Sequence, residues 1–316
     1  MERREFIKHI GLVLAAGCSV SPLSWPLAAL ADPPTLRLAF LADAHLLDGD
    51  ERRPEAQALT RAVAELRRLE PAPRLVLFAG DLAHNGDPRA LALGQEILSD
   101  LPAPHLMVMG EGDGLPDGAA AWRHLFGNAW FTQVLQKTDN GKQKTVIQVL
   151  GLHTAWCPGP GGPAFRVGDA GRRWLARELN RLDPEAPLII LSHAPLDPVY
   201  RPWQQWTVDG PQVAAMLAPF RRVLCLHGHT HHSVASSQWP VVSKSNGFIE
   251  IFKENGKQKT ENRLHISLPA TAWPGPQALQ GTPARLGPGL GPIGCGWLLL
   301  VAGSTSLQLQ PQIWQA

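Results

Sequence analysis

The sequence of 316 residues lacks several features that mark common structural classes. It has four cysteines at scattered positions, which excludes a disulfide framework, and the three beyond Cys18 allow at most one internal disulfide. No stretch reaches the roughly 18 uninterrupted apolar residues of a transmembrane helix. The net charge is only +2, so we expect no nucleic-acid partner.

Residues 1–31 have the features of an export signal. Arg3-Arg4-Glu5-Phe6-Ile7-Lys8 resembles a twin-arginine motif, an apolar stretch follows, and Ala29-Leu30-Ala31 offers small residues for cleavage before Asp32. Cys18 lies in a sequence that resembles a lipoprotein cleavage box, so a lipid anchor there is the alternative. We therefore expect the twin-arginine export machinery as a partner, a periplasmic or extracellular location, and no stable membrane span in the mature chain.

Apolar runs of strand length alternate with segments of helical periodicity between residues 36 and 226. This pattern predicts a mostly parallel sheet with a site at the carboxyl ends of its strands. The predicted strands are 36–42, 75–79, 105–109, 146–152, 188–191 and 223–226, and the predicted helices are 54–69, 87–98, 119–126, 168–182 and 208–217.

The last part of the chain changes to strands and turns. Residues 247–252 and 263–268 alternate like the two arms of a hairpin around Glu254-Asn255-Gly256, and residues 296–302 and 306–310 have the pattern of closing strands. No stretch of residues 32–316 resembles a linker. We therefore expect one domain over 32–316, with the motifs in 36–232 and a β-rich part in 233–316.

Acidic or histidine side chains follow five of the predicted strands. A carboxylate at a helix amino terminus would explain one such junction, but not five. Mixed carboxylate and imidazole ligands suit iron, manganese or zinc better than calcium or magnesium, and eight candidates exceed the needs of one tetrahedral ion. The sequence therefore predicts two transition metal ions. The candidate residues are Asp43, His45, Asp81, Glu111, Asp113, His193, His229 and His231.

These motifs, in this order, resemble those of the calcineurin-like metallophosphoesterases, over residues 36–232. The residues that carry the resemblance are Asp43-Ala44-His45, Gly80-Asp81, Ser192-His193 and Gly228-His229-Thr230-His231. The family implies an α/β fold, a four-layer α-β-β-α sandwich with two mixed β-sheets. It also implies a ligand set: Asp43, His45 and His231 on the first metal, Asp81 bridging both metals, and Glu111, His193 and His229 on the second.

A second resemblance is to an exported branch of this family with Trp-rich segments. It rests on Trp203, Trp206, Ala270-Thr271-Ala272-Trp273-Pro274 and Gly294-Cys295-Gly296-Trp297. Loop tryptophans such as Trp203, Trp206, Trp239 and Trp273 either wall a substrate pocket or simply pack. Arg166, Arg172 and Arg173 either meet a phosphate or lie on a solvated face.

One motif departs from the family pattern. Members of the family have Gly-Asn-His followed by Asp or Glu, where this chain has Gly110-Glu111-Gly112-Asp113. Glu111 replaces the ligand Asn, and Gly112 replaces a His that lies near the leaving group. Asp113 and His229 remain as the candidate catalytic residues. Three other histidines could take over the missing role, namely His84, His153 and His232.

The resemblance implies an exported phosphoesterase that hydrolyses a small-molecule phosphomonoester or phosphodiester by attack of a metal-bridging hydroxide. General acid–base help is typically worth about a hundred- to ten-thousandfold, so the loss of the His would slow the reaction without abolishing it. The alternative is a metal-binding protein of weak or absent turnover. If the missing His is the cause, Gly112→His should raise activity.

Overall fold

Two β-sheets form the framework of this protein. The structure is a computed structural model that describes residues 35–115, 118–139, 143–159, 162–198, 205–231, 234–235, 244–245, 248–253, 263–272, 295–303 and 306–314. The strands are β1 Leu36–Leu41, β2 Leu75–Phe78, β3 His105–Met107, β4 Phe131–Asp139, β5 Gln143–Leu152, β6 Ala155–Cys157, β7 Ala164–Arg166, β8 Leu188–Ser192, β9 Val223–His227, β10 Val234–Ala235, β11 Lys244–Ser245, β12 Phe248–Lys253, β13 Arg263–Ser267, β14 Cys295–Ala302 and β15 Ser306–Trp314. The helices are α1 Pro54–Arg67, α2 Pro88–Ser99, α3 Glu111–Gly114, α4 Gly118–Phe126, α5 Gly168–Leu179 and α6 Gly210–Leu217.

Both large sheets mix parallel and antiparallel neighbours. The seven-stranded sheet has the order β11-β12-β15-β14-β1-β2-β3, in which β1, β2 and β3 are parallel and the other pairs are antiparallel. The six-stranded sheet has the order β10-β13-β9-β8-β5-β4, with a parallel centre and antiparallel edges. A separate hairpin consists of β6 and β7.

Alternating side chains in the strands build the layers. Leu38 and Phe40 of β1 pack with Ile189 of β8 and Leu224 of β9, so one face of each sheet lies against the other. Ala39 and Leu41 of β1 face α1, α2 and α4, and the outer face of the second sheet packs on α5 and α6. The layer order is therefore helices, sheet, sheet, helices, which confirms the expected four-layer sandwich.

The predicted hairpin around Asn255-Gly256 is wrong. β12 pairs with β15 in the seven-stranded sheet, whereas β13 pairs with β9 in the six-stranded sheet. Two alternating strands that are neighbours in sequence carry no information about which sheet each one joins. The sequence-based prediction also missed β4 and the β6–β7 hairpin. The two strands of this hairpin have only three residues each, which is too short to show an alternating pattern.

Two further findings concern export and redox state. No helix among the described residues is long and apolar enough to cross a membrane. Cys225 is buried and Cys157, Cys225 and Cys295 are free, so the described cysteines form no disulfide. The twin-arginine segment, the cleavage site and Cys18 lie outside the described residues, and those expectations remain predictions.

His227 is the last residue of β9 and is buried. Its side chain is 2% exposed, and burial lowers its pKa to about 3. The unfolded chain takes up a proton near pH 6.5, whereas the folded chain does so only near pH 3. The contribution of this group to stability is therefore complete above pH 6.5 and is lost as the pH falls toward 3.

We predict that His227→Gln reduces the acid sensitivity of the fold. Between pH 7 and pH 5, the wild-type chain should lose about 2 kcal/mol more unfolding free energy than His227→Gln does. Urea denaturation at the two pH values measures this difference. His124→Gln, at an exposed position, is the control and should behave as wild type. Equal pH dependence in wild type and His227→Gln would contradict the assignment.

Candidate metal centre

The candidate ligands lie where the carboxyl edges of the two sheets meet. Asp43 and His45 follow β1, Asp81 follows β2, and Glu111 opens the short helix after β3. His193 follows β8, and His229 and His231 follow β9. The structure thus brings together all seven residues expected as ligands, from five strand ends in both sheets.

The backbone at these positions is strained in the same way. Among the described residues other than glycine, positive φ angles occur at Asp43, His45, Asp81, His229 and His231. Each left-handed residue costs on the order of 1 kcal/mol and persists only where its surroundings hold it. Here the loops after β1 and β2 hold one another, because Asp43 N donates to Gly80 O and His45 N donates to Asp81 O. Strain therefore falls on five of the seven residues that carry the candidate ligand atoms.

The first cluster consists of Asp43, His45 and His231. Nε2 of His45 lies 2.9 Å from Nε2 of His231, and Oδ1 of Asp43 lies 3.5 Å from the His231 nitrogen and 4.0 Å from the His45 nitrogen. Ligands about 2.0–2.2 Å from one ion lie roughly 3–3.5 Å apart, so this triangle suits a single ion.

The second cluster consists of Glu111, His193 and His229. Nε2 of His193 lies 2.6 Å from Oε2 of Glu111, and Nδ1 of His229 lies 2.9 Å from Oε1 of the same carboxylate. In both histidines, a hydrogen bond at the ring nitrogen that points away from Glu111 fixes the orientation of the ring. Nδ1 of His193 donates to Ala79 O at 2.7 Å, and Nε2 of His229 donates to Oε1 of Gln205 at 2.8 Å. Each ring therefore presents its other nitrogen to the cluster.

Asp81 lies between the two clusters. Its Oδ2 is 3.7 Å from Nε2 of His45 and 3.5 Å from Nε2 of His193. Burial raises the pKa of Asp81 well above its ordinary value, and the nearby Glu111 carboxylate raises it further. A buried carboxylate that favours a proton in this way also favours a cation in the same place.

The ionisable groups around Asp81 shift the pKa values of one another. Burial alone would lower the pKa of His193, but Asp81 and Glu111 raise it well above its ordinary value. Burial alone would raise the pKa of Glu111, but His229 and His193 lower it well below. Burial, together with the nearby His231, lowers the pKa of His45 to about 3, so the His45 imidazole is neutral near pH 7 and available as a ligand.

Several buried donor atoms fit a pair of metal ions. Oδ2 of Asp43, Oε2 of Glu111 and Nε2 of His193 are buried and form no aligned hydrogen bond with any described residue, although the Glu111 and His193 atoms lie 2.6 Å from each other. The mixed oxygen and nitrogen set suits iron, manganese or zinc. A dinuclear site requires buried donor atoms of this kind, directed at the positions of its two ions.

Asp113 has a different position from the one expected for a catalytic residue. It is fully buried, and its carboxylate accepts three backbone N–H groups, from Asp81 at 2.9 Å, Gly110 at 2.9 Å and Ala83 at 2.8 Å. Burial raises its pKa to about 7, although the backbone donors lower it. Asp113 therefore ties the β2 and β3 loops together and positions Asp81, whereas its catalytic role stays a prediction.

One ring nitrogen of His229 faces Glu111 and the other faces Gln205, a geometry that suits a candidate ligand, and its catalytic role stays a prediction. Of the substitute histidines, His84 lies behind His45, with their Nδ1 atoms 3.3 Å apart. His153 faces Met109 O at 3.2 Å, and His232 lies outside the described residues.

Two further parts of the chain support the site: Gln205, which the sequence-based prediction missed, and the segment Ala270–Ala272, which the sequence analysis named only for its resemblance to a Trp-rich branch. Gln205 orients His229, but a single Gln in a loop gives no signal in the sequence. The segment Ala270–Ala272 supports the Asp43 loop, since Thr271 N donates to Ala42 O at 2.8 Å. Gly296 N in turn donates to Ala270 O, so β14 holds this segment against the loop of the first cluster. Trp203, Trp239 and Trp273 lie outside the described residues.

A family model described as calcineurin-like phosphoesterase matches residues 36–233. The chain belongs to the calcineurin-like phosphoesterase family. A probable glycerophosphodiester phosphodiesterase of Arcobacter nitrofigilis is 24% identical over 58% of this chain, and a cAMP/cGMP dual specificity phosphodiesterase of Mycobacterium tuberculosis is 28% identical over 63%. The matches span 65% and 63% of those two proteins.

Solved structures confirm the family fold. A dimetal phosphatase of Danio rerio superposes with a TM-score of 0.53 and 15% identity over 89% of this chain and 100% of that one. A purple acid phosphatase of yellow lupin superposes with a TM-score of 0.54 and 13% identity over 90% of this chain and 53% of that one. The phosphoesterase family and the two residue clusters together support divalent metal ions as cofactors.

Gly112 has no room for the histidine that the family pattern places there. A Cβ on this residue would lie 2.7 Å from Ala83 O, 3.0 Å from His84 O and 3.1 Å from Oδ1 of Asp81. Its N–H also donates to Oδ1 of Asp81 at 2.8 Å. A side chain at this position would therefore require the backbone of Ala83 and His84 to move, and a gain of activity in Gly112→His stays an untested prediction that this geometry does not favour.

We predict that Gly112→Ala lowers the free energy of unfolding by about 1–3 kcal/mol, because the backbone carbonyls must move away. Gly114→Ala is the matched control in the same short helix, since among the described residues its Cβ would meet only Met109 Cε, at 3.9 Å. Thermal denaturation of the two variants checks this, and equal losses of stability would refute it. Gly112→His should be less stable still and no more active than wild type.

Proposed function

We propose that this chain is an exported, dinuclear-metal phosphoesterase that hydrolyses small phosphodiesters, with phosphomonoesters as poorer substrates. The observation that carries the proposal is the position of Asp81 between two separate ligand clusters. The family and the names of two relatives support the reaction class. The export part rests on the sequence of residues 1–31 alone, with a lipid anchor at Cys18 as its alternative.

Each residue has a defined task in this proposal. Asp43, His45 and His231 hold one ion, and Glu111, His193 and His229 hold the other. Asp81 contributes to both. When bound, a pair of such ions activates water near neutral pH and stabilises negative charge on phosphoryl oxygens. Ala79 O and Gln205 keep the second-cluster imidazoles in the tautomer that ligation needs, and Asp113 keeps Asp81 in place.

The cage carries more negative charge than the family pattern provides. Glu111 stands where that pattern has a neutral Asn, and it lies against both histidines of the second cluster. A phosphodiester carries one negative charge near neutral pH, whereas a monoester carries up to two. The extra carboxylate therefore disfavours monoesters. Of the arginines considered for phosphate binding, Arg172 is already paired with Asp209 and Asp169.

The activity is tested with the metal-loaded mature chain. Manganese- or iron-loaded wild type should hydrolyse bis-p-nitrophenyl phosphate, and Asp81→Asn should lose bound metal and at least a hundredfold in kcat/KM, of the order seen for loss of electrostatic stabilisation. Asp100→Asn, on the surface, is the matched control and should retain both. Full metal occupancy with no turnover above Asp81→Asn would favour a metal-binding protein without catalysis.

A second variant tests the selectivity. At saturating metal, Glu111→Asn should raise kcat/KM for p-nitrophenyl phosphate relative to bis-p-nitrophenyl phosphate by on the order of tenfold, since one negative charge near the dianion is removed. Glu51→Gln, at an exposed position, should leave the ratio unchanged. An unchanged or lower ratio in Glu111→Asn would show that this charge does not set the preference.

A further inference from the structure

The β6–β7 hairpin borders the second cluster with aromatic side chains. Phe165 of β7 is 1% exposed, and its ring centroid lies 4.7 Å from that of His229 and 6.3 Å from that of His193. Both contacts are edge-to-face. Phe165 can neither ligate a metal nor carry a proton, so it acts as an apolar wall beside two candidate ligands.

Trp156 of β6 shares the face of the hairpin that Phe165 occupies. The two residues are direct partners across the antiparallel pair, and their ring centroids are 4.7 Å apart. Directly opposed residues of such a pair point to the same side of the sheet. Because Phe165 faces the second cluster, Trp156 lies on the side of the hairpin that faces the site.

Trp156 is also exposed, which is unusual for so large an apolar side chain. Its exposed fraction is 41%, and Val208, whose N–H donates to Phe165 O, is exposed to 37%. Exposed apolar surface that continues from a buried wall into the rim of a site is typical of a ligand contact.

The opposite face of the hairpin carries its charge. Arg166 follows Phe165 directly in β7, so its side chain points to the other side of the strand pair. Arg172 is held by Asp209 and Asp169. Among the described residues of the hairpin, the side near His229 therefore presents the aromatic rings of Phe165 and Trp156, and Arg166 lies on the opposite side.

We propose that Trp156 is the stacking platform for an ester substituent of the substrate, and that this chain selects phosphodiesters with a planar, uncharged aromatic group. An aliphatic alcohol such as glycerol would gain little from this surface. The inference rests on the proposed function, because the phosphoryl group must lie between the two clusters for its substituent to reach Trp156.

A binding experiment tests the platform without turnover. Methyl(phenyl)phosphinate and methyl(cyclohexyl)phosphinate are non-hydrolysable monoanions of similar size that differ in the planarity of the ring. Isothermal titration of manganese-loaded wild type should show about tenfold tighter binding of the phenyl compound, the order expected for one stacking contact. Trp156→Leu should abolish this preference, and Trp156→Phe should keep part of it.

Val134→Ala is the control, because Val134 is an exposed apolar residue on β4 and outside the hairpin. It should keep the full preference. Equal binding of the two phosphinates to wild type, or an undiminished preference in Trp156→Leu, would overturn the platform while the metal site stands. If neither phosphinate binds to metal-loaded wild type, the proposed function fails and the platform fails with it.

Discussion

The buried charge at the meeting edge of the two sheets is the constraint on which the site depends. Asp43, Asp81 and Asp113 are almost completely buried, and Glu111 lies beside them. Isolated buried carboxylates cost several kcal/mol each unless they are paired. Asp113 is stabilised by three backbone N–H donors, whereas the other three carboxylates lie with four imidazoles in two candidate ligand clusters. This arrangement suits the two cations of the proposed function.

The fold serves that constraint. The hydrophobic layer between the sheets keeps β1, β2, β8 and β9 in place, and their carboxyl ends deliver the candidate ligands to one edge. The cost of five left-handed backbone positions is met by the hydrogen bonds between neighbouring loops. The stability of the sandwich thus offsets a strained and highly charged edge, as is usual for functional sites.

The core strands and the candidate ligands that follow them could be predicted, because the residues that indicate them are neighbours in the sequence. The run from Leu36 to Ala42 followed by Asp43 and His45 shows a buried strand and its ligands together, and the same holds for β2, β8 and β9. The rest depends on contacts between distant residues. No local sequence pattern indicates that β12 and β13 join separate sheets. The same is true of the contact of Gln205 with His229 and of the carbonyl groups that lie against Gly112. Asp113 fitted the motif, but only its three backbone donors reveal its positioning role.

The most direct test is the location of the ions themselves. Crystals of the mature chain loaded with manganese should give two anomalous peaks, one among Asp43, His45 and His231 and one among Glu111, His193 and His229. Roughly 3.5–4 Å should separate the peaks, with Asp81 in contact with both. A single peak, or two peaks that do not share Asp81, would contradict the dinuclear site on which the account rests.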